Sequence, residues 1–399
     1  MIEKYYSGVI EQIYNRIGKE TRNIVMANYS NDFSIENLEV IRRYQSNEDN
    51  VFFAYSEFSY NTLVGAYEPF LDIICNMHRR FIGGSFDDFQ KECGVYYLHR
   101  QVLNSYYETG ECFREETVLL NEVAYEQRRM TMAIADMLKK LSEVKPLMIV
   151  INRFQMASKS SIETIKYLID NPCANIGIVL GVNAIVKGTD STVEVWDRIV
   201  ESLEDRSAIY YIGSAGPLKN NVKTTNDDEL YITMNFEQSI QEASNIMEFL
   251  DFEQARRGCR IIEHKLKFED AWIDEKSLRR FYMVYARTSV LLGEMSKAIE
   301  LTNEYKALIP ENDSEHYLSL YYFMKGTCYM YQGKLEKAGN SAKSAYDYAV
   351  LAEDDTLIFK AELLSVMIKM SGWYNIFFCV QDIPVSDEII EKLIKHGYR

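Results

Sequence analysis

The stretch KPLMIVINRFQMASKSSIETIKYLI, residues 145–169, contains the pattern that decides the fold. Its run PLMIVI, 146–151, is apolar on both faces, which is typical of a strand inside a parallel sheet. A polar break follows, and then apolar residues recur at helical spacing. Ser160 and Glu163 are spaced as in a capping box, so we expect the helix to begin at Ser160. The stretch therefore predicts a buried strand followed by an amphipathic helix.

Similar apolar runs recur through the first half of the chain and alternate with helical patterns. The predicted strands are 22–29, 50–58, 146–151 and 175–182, with 208–213 and 230–235 as candidates for a fifth. The predicted helices are 34–45, 117–144 and 160–170. Clusters of Gly, Ser, Thr, Asn and Asp indicate loops across 186–228. Strands that alternate with helices predict an α/β N-terminal domain with a parallel sheet and crossover helices.

Composition and charge exclude several classes of function. With 399 residues, 47% apolar and 26% charged, the chain is long enough for two or three soluble domains. A formal net charge of -15 argues against direct nucleic-acid binding and against anionic membrane surfaces. The seven cysteines include no CxxC, which favours reduced thiols in a cytoplasmic protein. The first residues do not read as a signal peptide, and no apolar run approaches the roughly 20 residues of a membrane span.

The second half of the chain is helical and contains a repeat. We expect a helical transition at 236–270 and helical repeats over 271–399. Gly293, Gly333 and Gly372 lie 40 and 39 residues apart. The small residues Ala286, Gly326 and Ser365 precede these glycines by seven positions, and Ala298 and Ala338 follow the first two by five. Phe377 departs from this pattern in the third copy. Short side chains let paired helices approach closely, so the spacing predicts an α-solenoid of helix pairs.

Both halves resemble known families. The pattern of small residues around the first two glycines, with Tyr282 and Tyr322 at aromatic positions, resembles the tetratricopeptide repeat at a longer spacing. The 145–169 stretch resembles the strand-B region of STAND ATPases, a branch of the AAA+ group, through Phe154-Gln155, Ala157 and Ser160-Ser161. The segments 64–74 and 175–183 are similar to other parts of that module. The resemblance implies a degenerate AAA+-like domain over 1–235, as in large bacterial signalling and transcription-regulator ATPases.

The residues that such an ATPase needs for chemistry are missing from the sequence. A phosphate-binding loop requires G-x-x-x-x-G-K-[ST] after the first strand, but 30–34 reads SNDFS, and Asp32 would repel a phosphate. Gly18-Lys19 precedes the strand and is better explained as a helix C-cap. Asn152 and Arg153 stand where acidic residues would hold the metal and handle water. We therefore predict no catalytic residues and no metal site.

A few residues retain a weaker functional interpretation. Arg153, at the carboxyl end of a strand, is the one candidate for nucleotide binding, and a pair with a neighbouring acid is the favoured alternative. His78 is explained by a surface or satisfied histidine better than by an anion site. Asp87-Asp88 suit the first turn of a helix, with Ser85 as its N-cap. The Gly-rich stretches at 83–86 and 213–216 are predicted to be turns.

These observations favour a non-catalytic regulatory or scaffold protein, with an inactive ATPase-like platform and a repeat surface for another protein or peptide. We expect no cofactor; ATP or ADP is compatible with the fold but disfavoured. The candidate contact residues on the repeats are Tyr321, Tyr322, Tyr329, Tyr331 and Tyr346, although core packing explains at least half of them. Two alternatives stay open: a nucleotide-binding switch with a non-standard phosphate site, and an unrelated enzyme. An oligomer is compatible with either.

Overall fold

The protein is described by a computed structural model that covers residues 2–29, 38–46, 50–59, 63–112, 123–183, 193–206, 208–213, 235–268, 273–312 and 314–375. The chain divides into two compact units, Met1–Asp270 and Ala271–Arg399. Within the described ranges, no helix has both the length and the apolarity that a bilayer crossing requires.

The first unit is built on a sheet of parallel strands, as the sequence predicts. The strands are β1 (Ile24–Tyr29), β2 (Phe52–Glu57), β3 (Leu147–Asn152), β4 (Ile176–Asn183) and β5 (Ile209–Ile212). Their order across the sheet is β2-β3-β4-β1-β5, and every pairing is parallel. All residues of β3 and β4 are buried, which explains why these runs are apolar on both faces. Of the two candidates for the fifth strand, 208–213 is correct, and 230–234 lies outside the described residues.

Helices surround this sheet and continue to the end of the first unit. They are α1 (Ile2–Arg16), α2 (Glu39–Ser46), α3 (Phe70–Met77), α4 (Phe86–Glu92), α5 (Tyr97–Thr109), α6 (Val123–Val144), α7 (Lys159–Asp170), α8 (Val193–Glu204), α9 (Phe236–Glu248) and α10 (Phe252–Phe268). A π-helical turn, His78–Ile82, extends α3. The side chains of Tyr6, Ile10 and Ile13 recur at helical spacing on α1 and are completely buried.

Helix α1 packs closely against the central strands because β4 carries glycines beneath it. A Cβ atom at Gly177 would lie 2.8 Å from the Ile17 side chain. A Cβ atom at Gly181 would collide with the Tyr6 hydroxyl and would lie 2.7 Å from Oδ1 of Asn152. At these two positions only glycine leaves room for the neighbouring side chains.

The sequence missed one helix of this unit and misplaced the start of another. The segment 186–228, predicted to be rich in loops, contains α8 at 193–204, whose Ile199 and Leu203 are buried. Helix α7 begins at Lys159, because the Ser158 side chain, not that of Ser160, accepts the capping hydrogen bond from the Ser161 N–H. The Ser160 N–H instead donates to Asp251 at 3.0 Å.

The second unit consists of antiparallel helix pairs and a further helix. The helices are α11 (Glu275–Leu291), α12 (Met295–Ala307), α13 (Ser314–Tyr331), α14 (Leu335–Leu351) and α15 (Asp355–Asn375). Gly293 links α11 to α12, and Gly333 links α13 to α14. Their φ angles are 79° and 72°, a left-handed conformation that favours glycine. The buried residues Ala298 and Ala338 stand at the expected positions on the second helix of each pair.

The third glycine of the predicted repeat differs from the first two. Gly372 lies inside α15 and not in a turn between helices, and 376–399 lie outside the described residues. The second copy is closely packed, because a Cβ atom at Gly326 would lie 3.0 Å from Leu364 and 3.3 Å from Ser341. In its described part, the second unit therefore holds two glycine-linked pairs, with α15 against the second.

Candidate functional site

Polar side chains collect at the carboxyl edge of the sheet, where ligands bind in open α/β folds. β1, β2, β3 and β4 end there at Tyr29, Glu57, Asn152 and Asn183. The backbone N–H of Asn183 donates to Oε1 of Gln155 at 3.3 Å. This edge is the candidate functional site, because an ATPase of the resembled type would place its nucleotide here.

At the centre of this edge, the Tyr29 hydroxyl donates a hydrogen bond of 2.7 Å to Oδ1 of Asn152. Both side chains are completely buried. Tyr6 packs edge-on against Tyr29, with ring centroids 6.4 Å apart. Burial raises the pKa of Tyr6, and the neighbouring Tyr29, Tyr55 and Glu57 raise this pKa further. The end of β3 is therefore filled by neutral aromatic and amide groups.

Arg153 directly follows β3 in a left-handed conformation, with φ of 55°. Its guanidinium lies 3.0 Å from Oε1 of Glu57 and donates to the carbonyl oxygen of Phe58 at 3.3 Å. The Tyr55 hydroxyl donates to the other oxygen of Glu57. Arg153 thus pairs with a neighbouring acid, the alternative that the sequence favours. Phosphate binding by Arg153 stays a prediction.

An acidic cavity of about 450 Å³ lies beside this ion pair. We define it by its four carboxylates, Glu57, Glu68, Asp72 and Glu242. Phe58, Tyr106 and Phe249 form aromatic walls. Among its described lining residues, none is a lysine, an arginine or a histidine. A polyphosphate entering this cavity would meet charges of its own sign.

The carboxylates of the acidic cavity are partly neutralised by their surroundings. Burial, followed by the charges of Glu68 and Asp72, raises the pKa of Glu242 to about 7. Burial also raises the pKa of Glu68, although the Gly65 N–H donates to Glu68 at 2.9 Å and opposes this shift. The Tyr106 hydroxyl donates to Asp72 at 2.9 Å.

Throughout the described ranges, no three carboxylate, imidazole or thiol groups are arranged to hold a metal ion.

The other residues singled out in the sequence make contacts within the folded chain. Ser85 caps α4 by accepting from the Asp88 N–H, as predicted. Asp87 pairs with Lys91 at 2.7 Å, and this contact is the main reason that the pKa of Asp87 is lowered. His78 is fully buried and contacts the Tyr107 hydroxyl at 3.1 Å. Of the stretch 213–216, only Gly213 is described, with φ of 73°.

The tyrosines proposed as contacts on the repeats differ in exposure. Tyr321 is only 2% exposed and packs edge-on against Tyr322, so it belongs to the core and is removed from the candidates. Tyr322 also stacks on Tyr348, with ring centroids 5.6 Å apart. Tyr329 and Tyr331 are half-buried against a core cluster.

The exposed candidate, Tyr346, has apolar neighbours that the sequence analysis missed. Tyr346 is 38% exposed, Val350 is 45% exposed and Leu351 is 67% exposed, all on α14. The spacing of Tyr346 and Val350, four residues apart, is the signal that would have found this surface. Tyr29, Glu57 and Glu242 were likewise not predicted as site residues, although Tyr29 and Glu57 lie at or near the ends of predicted strands.

Comparison with known proteins adds no relative to these observations. The sequence matches no protein-family model and no curated protein.

Proposed function

We propose that this chain is a regulatory or scaffold protein without catalytic activity. Its first unit is an AAA+-like platform, and its second unit is a tetratricopeptide-like surface for another protein or peptide. The hydrogen bond between Tyr29 and Asn152 carries this proposal. It fills the end of β3, where an ATPase of the resembled type needs a carboxylate for its metal and water.

The parallel sheet of the first unit supports the AAA+-like assignment, which requires such a sheet with crossover helices. Its strand order is β2-β3-β4-β1-β5. The residues that carry the strand-B resemblance, Phe154-Gln155, Ala157 and Ser160-Ser161, follow directly after β3. The polar groups at the end of this strand are therefore in the right place for comparison with an ATPase site.

Electrostatics at the same edge argue against nucleotide binding. Arg153, which directly follows β3, is paired with Glu57 at 3.0 Å. The adjoining acidic cavity contributes Glu68, Asp72 and Glu242. Like charges in a partly buried cleft repel by several kcal/mol at an effective dielectric constant of about 20. A triphosphate would need compensating cations, which the acidic cavity does not supply.

The second unit supplies the surface that the proposal needs. Tyr346, Val350 and Leu351 expose apolar area on α14, and Met370 on α15 is 38% exposed. Paired helices of this kind present extended surfaces for partner chains. We place the role of the protein in bacterial signalling or transcriptional regulation, by analogy with the large ATPases that the sequence resembles.

Thermal unfolding with millimolar ATP or ADP and Mg²⁺ tests the platform. A nucleotide that binds the folded state would stabilise it by about 2.7 kcal/mol at a hundredfold excess over Kd. We expect no change in the midpoint. A clear rise would overturn the proposal in favour of the nucleotide-binding switch, and Arg153→Ala would then show whether Arg153 holds the phosphates.

Site-specific photocrosslinking in cells tests the repeat surface. A crosslinking amino acid at Leu351 should yield a discrete adduct with a partner chain. The same group at Lys343, an exposed position on the same helix, is the matched control. Equal adducts from both positions, or none from either, would argue against a binding surface at the end of α14.

A further inference from the structure

A small basic cleft opens at the amino edge of the sheet, opposite the acidic cavity. It has a volume of about 210 Å³ and lies where β1 and β5 begin, beside the last turns of α7 and α8. We define the basic cleft by three arginines in its lining, Arg16, Arg22 and Arg206. They come from the end of α1, the approach to β1 and the turn after α8.

The charge of the basic cleft contrasts with that of the chain. Three guanidinium groups line it, and the one acid among its described lining residues is the exposed Glu20. Glu20 lies 3.6 Å from Arg16, which leaves Arg22 and Arg206 with no carboxylate in the lining. A concentration of positive charge in a chain with a formal net charge of -15 calls for a specific anionic ligand.

Hydrogen bonds hold the walls of the basic cleft in place. The Asn23 side chain donates to the carbonyl oxygens of Glu20 at 2.6 Å and of Ala174 at 3.1 Å. The Gly18 N–H donates to the same Ala174 oxygen at 2.8 Å. The Arg206 guanidinium donates to the Ile169 carbonyl oxygen. The backbone that carries Arg22 is therefore fixed before any ligand arrives, which reduces the entropic cost of binding.

A buried acceptor is left over in the same wall. Asn23 is completely buried and lines the basic cleft, and its Oδ1 has no hydrogen-bond partner among the described residues. This oxygen is closed to solvent and therefore also to a ligand, so its cost belongs to the fold and not to the site. The basic cleft itself offers guanidinium donors for anionic oxygens.

We propose that the basic cleft binds a phosphate group. Arginine is the residue best suited to phosphate, because its planar donors match two oxygens at once. The oxygens of phosphate are more basic than those of sulfate, so they accept stronger hydrogen bonds from guanidinium groups. The volume is below the roughly 300–1,000 Å³ of pockets for drug-sized ligands and suits a ligand as small as inorganic phosphate, which we assign to the basic cleft.

Isothermal titration calorimetry on the full chain tests this site, with ionic strength held constant by chloride. The probes are inorganic phosphate, sulfate and phosphoserine. We expect saturable binding of phosphate, weaker binding of sulfate, and no binding of phosphoserine. If phosphoserine binds and inorganic phosphate does not, the assignment to free phosphate is overturned. If none of the three binds, the site itself is overturned.

Matched arginine variants locate the binding. Arg22→Gln changes an exposed side chain and should weaken phosphate binding about tenfold or more, because it removes charged hydrogen bonds. Arg280→Gln makes the same change at an exposed position in the second unit and should bind as the parent does. Arg206→Lys, which keeps the charge but loses the planar donors, should also weaken binding. Wild-type affinity in both Arg22→Gln and Arg206→Lys would overturn the proposal.

Discussion

The Tyr29 hydroxyl and the Asn152 amide oxygen, 123 residues apart in sequence, are joined by a buried hydrogen bond of 2.7 Å at the end of β3. This bond links the last residue of β1 to the last residue of β3, although β4 lies between these strands. It satisfies a polar group that would otherwise lose its hydration without compensation. At its centre, the carboxyl edge is thus held together by two groups that do not ionise near neutral pH, the Tyr29 hydroxyl and the Asn152 amide.

Removing the Tyr29 hydroxyl should therefore destabilise the first unit. We expect Tyr29→Phe to lower the free energy of unfolding by about 1–3 kcal/mol, because the buried Asn152 oxygen loses this donor. Urea denaturation measures the difference. Tyr14→Phe, on a ring stacked against Tyr44, is the control and should change stability by less than about 0.5 kcal/mol. Equal effects of the two variants would contradict the importance of the Tyr29–Asn152 bond.

Replacing Glu242 should stabilise the protein at neutral and alkaline pH. The pKa of Glu242 is raised from 4.5 to about 7, so the folded state binds more protons than the unfolded state between these pH values. Stability then falls as the pH rises through this window. Glu242→Gln removes this loss, which we expect to be roughly 2–3 kcal/mol at pH 8 and near zero at pH 4.

Urea titrations across this pH range measure the Glu242 effect. Glu237→Gln, at an exposed position on the same helix, is the matched control. A Glu242→Gln variant whose stability follows the parent curve at every pH would show that Glu242 is not held in an acidic, desolvated setting.

His78 should produce a pH dependence of the opposite sign. Burial, and then the charge of Arg79, lowers its pKa from the ordinary 6.5. The unfolded state therefore binds the proton first, and stability is lost as the pH falls below about 6.5. His78→Gln, which cannot titrate, should flatten this acid limb. Unfolding midpoints at pH 5, 6 and 7 provide the measurement, and an unchanged slope would refute the assignment.

A valine at Gly326 should disrupt the second helix pair. A Cβ atom there meets Leu364 at 3.0 Å and Ser341 at 3.3 Å, so a branched side chain would force the helices apart. We expect a loss of about 1–3 kcal/mol, as for other overpacked cores. Gly339→Val is a matched control on α14, because a Cβ atom at Gly339 meets no atom within 4 Å. Thermal unfolding should rank Gly326→Val well below both the parent and the control.

The sequence predicted the parts of the fold that depend on local pattern. The runs that form β3 and β4 were identifiable because both faces of these strands are buried. Each run is therefore continuously apolar, as is typical of a strand inside a parallel sheet. The links at Gly293 and Gly333 were identifiable because a left-handed turn favours glycine. Helix α8 was missed because clusters of loop-forming residues on both sides hid its apolar spacing.

Features that depend on distant partners could not be predicted in the same way. Ser158 and Ser160 are both suitable N-caps, and Asp251, which takes the Ser160 N–H, is 91 residues away. The carboxyl edge presents the same limit. Tyr29 closes a predicted strand and Glu57 lies near the end of another, but their partners follow from the strand order, which no local pattern encodes.

The position of β1 between β4 and β5 has a consequence for synthesis of the chain. β1 pairs with β4 and β5, and Ile24 meets Ile178 across the sheet. About 150 residues must therefore leave the ribosome before β1 gains its first neighbour, which takes on the order of 10 s or more at 5–20 residues per second. During that interval both edges of an apolar segment are unpaired, so the nascent chain is exposed to aggregation until β4 has been made.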